Sequence, residues 1–344
     1  MKKIVVTGGA GFIGSNFIRY VLNNREYSII NIDQLLLSGS SENIREFSKN
    51  RNYRFVKGDI RDFDFLLKFF QREKKIFGVI NFAAQSHVDR SIIFPKDFMD
   101  TNILGVFNLL EILRRGFFKR FLQISTDEVY GDLKIDSKEK FKEDSPLKPN
   151  SPYSSSKASA DLISLSYHKT YDLDIVITRS SNNFGPYQFP EKLIPLTILK
   201  ALKNEKIPIY GDGKNVRDWL YVEDNVRAIL NVFENGKRGS VYNIGADNGI
   251  SNLDLVKMIL KILKKDECLI TFVKDRPSHD RKYSLDSSKI KRELKHKNIF
   301  KFYPTLKKTV EWYKENIKWV EKCIDEDFKK YYIKNYKERL DEKN

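Results

Sequence analysis

The sequence predicts an α/β protein, with a doubly wound parallel sheet over residues 1–180 and a smaller, mixed C-terminal domain after it. Three observations carry this expectation. Short β-branched runs alternate with amphipathic stretches through the first 180 residues, the rhythm of strands covered by helices on both faces. A glycine-rich turn, Thr7-Gly8-Gly9-Ala10-Gly11-Phe12-Ile13-Gly14, joins the first run to the first amphipathic stretch. Beyond residue 180 the alternation weakens, and Pro186, Pro190, Pro195, Pro208, Gly211 and Gly213 punctuate a loop-rich section.

Taken in order, the apolar, β-branched runs at 3–6, 28–32, 53–57, 78–82, 121–124 and 174–178 are expected to be strands. Residues 12–22, 63–70, 95–113 and 152–171 have the length and period of helices. The chain is expected to return to the first domain around 216–245, while 181–320 mainly forms the second. Leu306, Val310, Tyr313, Ile317 and Val320 recur at steps of three and four, which predicts one closing helix. Residues 321–344 form a charged extension whose Phe328, Tyr331, Tyr332 and Tyr336 are expected to pack on the core.

Composition narrows the function classes. The 344 residues suit two domains, and 41% hydrophobic with 31% charged residues describes a globular chain rather than a fibrous or disordered one. No apolar run approaches the roughly 20 residues of a membrane span, and the start turns to glycine too soon for a signal peptide. A cytoplasmic location, with no membrane partner, is the expectation. Cys268 and Cys323 have no partner at metal or disulfide spacing, so neither a metal site nor a disulfide framework is expected. The net charge of +16 raises nucleic-acid binding as an alternative. Between residues 250 and 310, however, 16 Lys and Arg face 7 Asp and Glu, and this region reads as a lysine-rich solvated surface. No nucleic-acid-binding signature accompanies it.

In the glycine turn, Gly8 permits a tight bend, Gly11 allows backbone to approach a pyrophosphate, and Gly14 lets the helix lie close. The helix N-terminus then faces the phosphates. Asp33, at the end of the second strand, can accept the adenine-ribose hydroxyls and would repel a 2′-phosphate. Together these features predict a Rossmann-like domain binding NAD. Asp59 and Ile60, after the third strand, either flank the adenine or simply make a turn.

Tyr153 and Lys157 stand one helical turn apart. A free tyrosine is a poor base at neutral pH, so the neighbouring ammonium and a positive nicotinamide are expected to favour its phenolate. Tyr153 could then take a proton from a sugar hydroxyl as hydride leaves for NAD. Thr126, Asp127 and Glu128 follow the fifth strand, at the sheet edge where ligands bind in open α/β folds. Thr126 can hydrogen-bond the reacting hydroxyl. Asp127 and Glu128 offer an acid and a base for a second proton-transfer site, which suggests elimination beside a carbonyl.

On these motifs the chain resembles the extended short-chain dehydrogenase/reductase family and, within it, the nucleotide-sugar 4,6-dehydratases. Further blocks carry the resemblance: Asn81-Phe82-Ala83-Ala84-Gln85-Ser86-His87-Val88-Asp89-Arg90-Ser91, the run from Ser181 to Pro195, Arg217-Asp218-Trp219 and Asp275-Arg276-Pro277-Ser278-His279-Asp280. It implies a dTDP-linked glucose as substrate, oxidised at C4 with Tyr153 as base. Glu128 then takes the C5 proton, Asp127 protonates the departing C6 hydroxyl, and hydride returns to C6. The resemblance implies tightly held, recycled NAD contacted by Gly8, Gly11, Phe12, Ile13, Gly14, Asp33, Asp59, Ile60, Ala83, Ala84, Thr101, Tyr153, Lys157 and Asn183. It also implies substrate contacts from Ser86, Thr126, Asn182, Lys192, Leu193, Pro208, Tyr210, Arg217, Asn252, Arg276 and His279. Arg217 and Arg276 suit phosphates, since guanidinium binds oxyanions with two hydrogen bonds, although either could be a structural ion pair. A homodimer through the helices at 95–113 and 152–171 is implied as well. UDP- or CDP-sugar dehydratases, epimerases and decarboxylases of the same family are the alternatives. Gln85 stands where the family often has Glu, Ser278 where it has Gly, and Leu36-Leu37 where it has a more polar pair. Serine at 278 is costlier than glycine if φ is positive there.

Overall fold

The computed structural model describes residues 1–36 and 39–324. In chain order the elements are β1 (Lys2–Thr7), α1 (Phe12–Asn24), β2 (Tyr27–Asp33), β3 (Tyr53–Lys57), α2 (Phe63–Arg72), β4 (Ile76–Asn81), α3 (Val88–Ile93), α4 (Pro95–Met99), α5 (Gly105–Arg114), β5 (Arg120–Thr126), α6 (Pro152–Tyr171) and β6 (Asp174–Ser180). There follow β7 (Asn182–Phe184), α7 (Leu193–Leu202), β8 (Ile207–Tyr210), β9 (Val216–Tyr221), α8 (Val222–Asn235), β10 (Val241–Ile244), β11 (Gly249–Ser251), α9 (Asn252–Leu263) and β12 (Ile270–Val273). The last three helices are α10 (Ser288–Leu294), α11 (Phe302–Glu315) and α12 (Ile317–Cys323).

Seven strands form one parallel sheet in the order β10-β6-β5-β4-β1-β2-β3. Strand order reverses between β1 and β4, and the crevice beyond their carboxyl ends is the ligand position of doubly wound folds. One face of the sheet buries Ile4, Val6, Ile29, Leu122 and Val176 against α1 and α8. The other buries Val5, Ile30, Val79 and Phe121 against α2, α5 and α6. Between the faces a buried polar chain crosses the sheet: Thr7 donates to Asn81 at 2.6 Å, and Asn81 to Gln123 at 2.8 Å. A separate core of Phe184, Ile194, Ile198, Trp219, Leu255, Ile259, Leu306, Val310 and Tyr313 lies between α7, α9 and α11. There β8 pairs with β12 and β9 with β7 and β11.

The six expected strands and the helices at 12–22, 63–70 and 152–171 lie within two residues of their observed bounds. Two expectations need refinement. The helix expected over 95–113 runs from Pro95 to Arg114 but widens inside: α4 passes through a π-helical turn, Asp100–Leu104, into α5. That turn aims Asn102 inward, where its side chain accepts the Gln85 N–H at 2.8 Å and donates to Gln85 carbonyl and to Ser156. The single closing helix is likewise two, because the chain leaves helical geometry at Asn316 before α12. Phe328, Tyr331, Tyr332 and Tyr336 lie outside the described residues. Most charges of the 250–310 region are exposed, among them Lys257, Lys261, Lys291, Lys295, Lys301 and Lys307. No helix among the described residues is long and apolar enough to cross a membrane.

Candidate active site

The glycine turn emerges from β1 with Gly8 at φ +71°. A Cβ on Gly8 would lie 2.4 Å from the Ala83 nitrogen, and one on Gly14 2.4 Å from the Gly8 carbonyl oxygen. Both contacts are with backbone, so only glycine lets β1, α1 and the loop after β4 meet. A Cβ on Gly11 would meet only the Gly8 oxygen, at 3.3 Å, which leaves open space beside the start of α1, where Phe12 and Ile13 stand. Asp33 closes the other side: its carboxylate accepts the Ala10 N–H at 2.9 Å and the Leu35 N–H at 2.8 Å. Each oxygen keeps a lone pair for a ribose hydroxyl. A positive helix end, an open glycine and a carboxylate at a strand end fit a dinucleotide. After β3, Asp59 accepts from the Arg61 backbone and guanidinium, and Ile60 is buried beside Gly105.

On the opposite side of the switch point, β5 delivers Thr126, Asp127 and Glu128. Thr126 caps a short 3-10 turn, Asp127–Tyr130, accepting the Glu128 N–H at 3.3 Å and donating to Asp127 at 3.1 Å. Asp127 is 1% exposed and its second oxygen has no partner. Burial and the charge of Glu128 hold the Asp127 carboxyl well above the usual carboxylate range. Burial also lifts Glu128, but Arg276, Arg217 and Lys192 pull it back. The pair is thereby set apart: Asp127 is raised well above its ordinary range, whereas Glu128 faces three cations that limit its rise.

A capping box of Ser151 and Ser154, with Pro152 at the first position, starts α6 so that Tyr153 and Lys157 share its buried face. The Tyr153 phenol stands in the field of Asp127 and Glu128. Its ionisation departs from expectation. Burial and the charges of Glu128, Asp127 and Asp161 push the phenol up, and only the Thr126 hydroxyl opposes them. The Lys157 ammonium is turned instead to the Ile124 carbonyl, and burial pulls it down to about 8. The Lys157 ammonium is thus anchored on a backbone carbonyl of β5 while it stands one helical turn from Tyr153.

The remaining expected residues divide into those facing the carboxyls and those committed elsewhere. Lys192, at the start of α7 before Leu193, donates to the Ser86 carbonyl at 3.2 Å and so spans from the α7 side to the loop after β4. Asn182 and Asn183, on β7 directly after β6, each carry a buried side-chain oxygen without a partner, as ligand-facing amides would. Tyr210 lies edge-on to His279, whose Nδ1 is 2.6 Å from Asp275. Arg276 pairs with Asp89 at 2.7 Å, which is the ion-pair alternative, while its Nε remains buried and unpartnered. Arg217 donates to the Asp280 carbonyl at 2.7 Å and the Val216 carbonyl at 2.9 Å and lies over Tyr283, with its charge reaching Glu128. Pro208 is buried within β8, and Asn252 starts α9 with its N–H on Asn215. Thr101 lies in the π turn and Ala83 and Ala84 follow β4. A cleft of about 820 Å³ along α9, lined by Val216, Ile250, Met258 and Lys261, contains none of the catalytic candidates. Ser278 has φ +52°, the left-handed geometry that makes glycine the easier residue there.

The family model described as GDP-mannose 4,6 dehydratase matches residues 5–309. The chain is 42% identical over 362 aligned residues to dTDP-glucose 4,6-dehydratase of Salmonella typhimurium, covering 98% of this chain and 99% of that one. The chain belongs to the dTDP-glucose 4,6-dehydratase family. Among solved structures of this family, that of Bacillus anthracis in complex with NAD shares 45% identity at a TM-score of 0.87, covering 94% of this chain and 100% of that one. The Streptomyces venezuelae dTDP-glucose 4,6-dehydratase, also crystallised with NAD, shares 41% identity at a TM-score of 0.90, covering 93% and 99%. The dehydratase-family assignment agrees with the split carboxyl pair. Two residues that sequence reasoning left unassigned, Asn102 and Asp89, stand out by their buried hydrogen bonds. The only sequence signal for either was a place inside or beside a family motif.

Proposed function

We propose that this chain is an NAD-dependent hydro-lyase that converts dTDP-glucose to dTDP-4-keto-6-deoxyglucose and water. The observation that carries the reading is the unequal pair Asp127 and Glu128 beside Tyr153: one carboxyl buried with an unpartnered oxygen and raised well above its ordinary range, its neighbour facing three cations. Simple oxidation or epimerisation at C4 has no use for such a pair.

NAD, when bound in the crevice lined by Gly8, Gly11, Gly14 and Asp33, supplies a two-electron acceptor for C4 and returns the electrons at C6. The protein's residues move the protons. Tyr153 takes the proton of the 4-hydroxyl, with Thr126 hydrogen-bonded alongside. The resulting ketone acidifies the C5 proton, which passes to Glu128. Asp127 gives its proton to the C6 hydroxyl, which leaves as water. Glu128 then returns a proton to C5, and the proton held by Tyr153 restores Asp127, so that loss of water is the only net change. Arg276 and Lys192 supply the positive field for the diphosphate side of the substrate. Residues 1–180 with the returning 216–245 hold the dinucleotide, and 181–320 mainly hold the sugar nucleotide. Incubation with dTDP-glucose in heavy water tests the reading by mass spectrometry: product should lack one water and carry one deuterium at C5. Conversion of UDP- or CDP-glucose in place of dTDP-glucose would refute the choice of base, and no conversion of any of them with NAD added would refute the chemistry.

The molecule also pairs as a homodimer in this reading, through the face formed by α4, α5 and α6. Phe94, Leu104, Phe107, Leu162 and Tyr171 expose large apolar surfaces on or beside those elements. Sedimentation at monomer mass at micromolar concentration would refute the pairing.

A further inference from the structure

Asp89, the second residue of α3, has no part in the proton transfers above, yet it is 5% exposed and fully engaged. One carboxylate oxygen accepts from Arg276 Nη1 at 2.7 Å and the other from the Tyr210 hydroxyl at 2.9 Å. The two donors arrive together because β8, ending in Tyr210, runs parallel to β12, ending in Val273, and places Tyr210 opposite Val273. Arg276 follows three residues later. Asp89 comes from the other half of the molecule, in the loop and helix that follow β4. A single carboxylate thus ties the large sheet to both segments expected to meet the sugar nucleotide. Burial works against its charge, but the Arg276 guanidinium and the Tyr210 hydroxyl favour the carboxylate and hold it below its ordinary range.

Arg276 Nε is buried and has no partner, while Nη1 of the same guanidinium is held by Asp89. The charge of Arg276 also reaches Glu128. Fixing one edge of a planar guanidinium sets the direction of its remaining donors, and it removes rotamer freedom before a ligand arrives. We propose that Asp89 is a positioning residue, which orients Arg276 so that its free Nε donor meets the diphosphate of the sugar nucleotide. This rests on the nucleotide-sugar reading given above. Asparagine at this place cannot serve both donors, since it offers one acceptor oxygen and an amide that would face the guanidinium or the phenol.

The test uses the full-length protein and two probes, dTDP and thymidine, titrated by calorimetry. Asp89→Asn should bind dTDP about ten- to a hundredfold more weakly, the range for losing a positioned charge-assisted contact, and thymidine within about twofold of wild type. With dTDP-glucose, KM should rise by the same factor while kcat stays within about threefold. Should Asp89→Asn not fold, Asp89→Glu keeps the buried charge but displaces it by one methylene, and should show the same contrast between the two probes. Equal weakening of dTDP and thymidine would make Asp89 a general brace of the fold and overturn the proposal. Unchanged dTDP affinity in a folded variant would overturn it alone, whereas wild-type protein that binds no dTDP would overturn the function reading and this proposal together.

Discussion

Glu128→Gln should lower dTDP-glucose turnover by about 10²–10⁴-fold, the usual contribution of a positioned general base, with substrate affinity nearly unchanged. The amide preserves shape but cannot accept the C5 proton, so deuterium should no longer enter C5 from heavy water. The pH profile gives the sign. In wild type the rate should rise as Glu128 loses its proton, with that limb above the ordinary glutamate range because burial raises it. It should fall again only when Asp127, raised well above its usual value, also ionises. The carboxyls titrate as a pair, so the limbs belong to the pair rather than to either residue. Glu128→Gln should remove the rising limb. Full turnover with unchanged C5 exchange in that variant would assign the base elsewhere.

The parts of this site that could be read from sequence are those whose chemistry is local. Gly8, Gly11 and Gly14 act within one turn, Thr126 to Glu128 are consecutive, and Tyr153 and Lys157 are fixed by helical spacing. Asp33 was legible because a strand end is predictable from its apolar run. What stayed hidden depends on pairings across the chain. Asp89 meets Arg276 at a separation of 187 residues and Tyr210 at 121. Spacing within a motif carries no information about such a partner. Arg217 shows the same limit: guanidinium chemistry suits a phosphate, but its hold on the carbonyl of Asp280, 63 residues away, could not be read from its motif. The helix over 95–113 was legible except for its π turn. Its periodicity is continuous, and a π turn adds a residue without altering composition, so only the inward aim of Asn102 reveals it. Lys157 shows the limit of spacing itself, since one turn of helix brings it near Tyr153 without deciding which neighbour takes its charge.

That last residue separates stability from activity. Lys157→Met should abolish most turnover, by about 10²-fold or more, because a buried ammonium one turn from Tyr153 is lost from the proton-transfer site. The same variant should be more stable than wild type at pH 7. Burial pulls the Lys157 ammonium from its usual 10.5 to about 8, and Asp161 only partly opposes this. A shift of that size corresponds to a cost of about 3 kcal/mol for keeping the charge in the folded protein at neutral pH. Methionine removes the charge and fills similar space. The Ile124 carbonyl is not orphaned by the change, since Gln123 also donates to it at 3.2 Å, and Asp161 keeps Arg179 and Ser125. A gain of about 1–3 kcal/mol is expected after loss of the ammonium hydrogen bond. The pH dependence follows from proton counting. Between about pH 8 and 10.5 the unfolded lysine holds a proton that the folded one has released, so wild-type stability should rise with pH across that window. The methionine variant lacks this rise, and its advantage should shrink toward zero as pH approaches 10.5. Urea denaturation of both proteins at pH 7 and pH 10 measures it. A variant less stable than wild type at pH 7 would mean that the buried ammonium stabilises the fold through its carbonyl and Asp161, and that Lys157 is not held there against a folding cost.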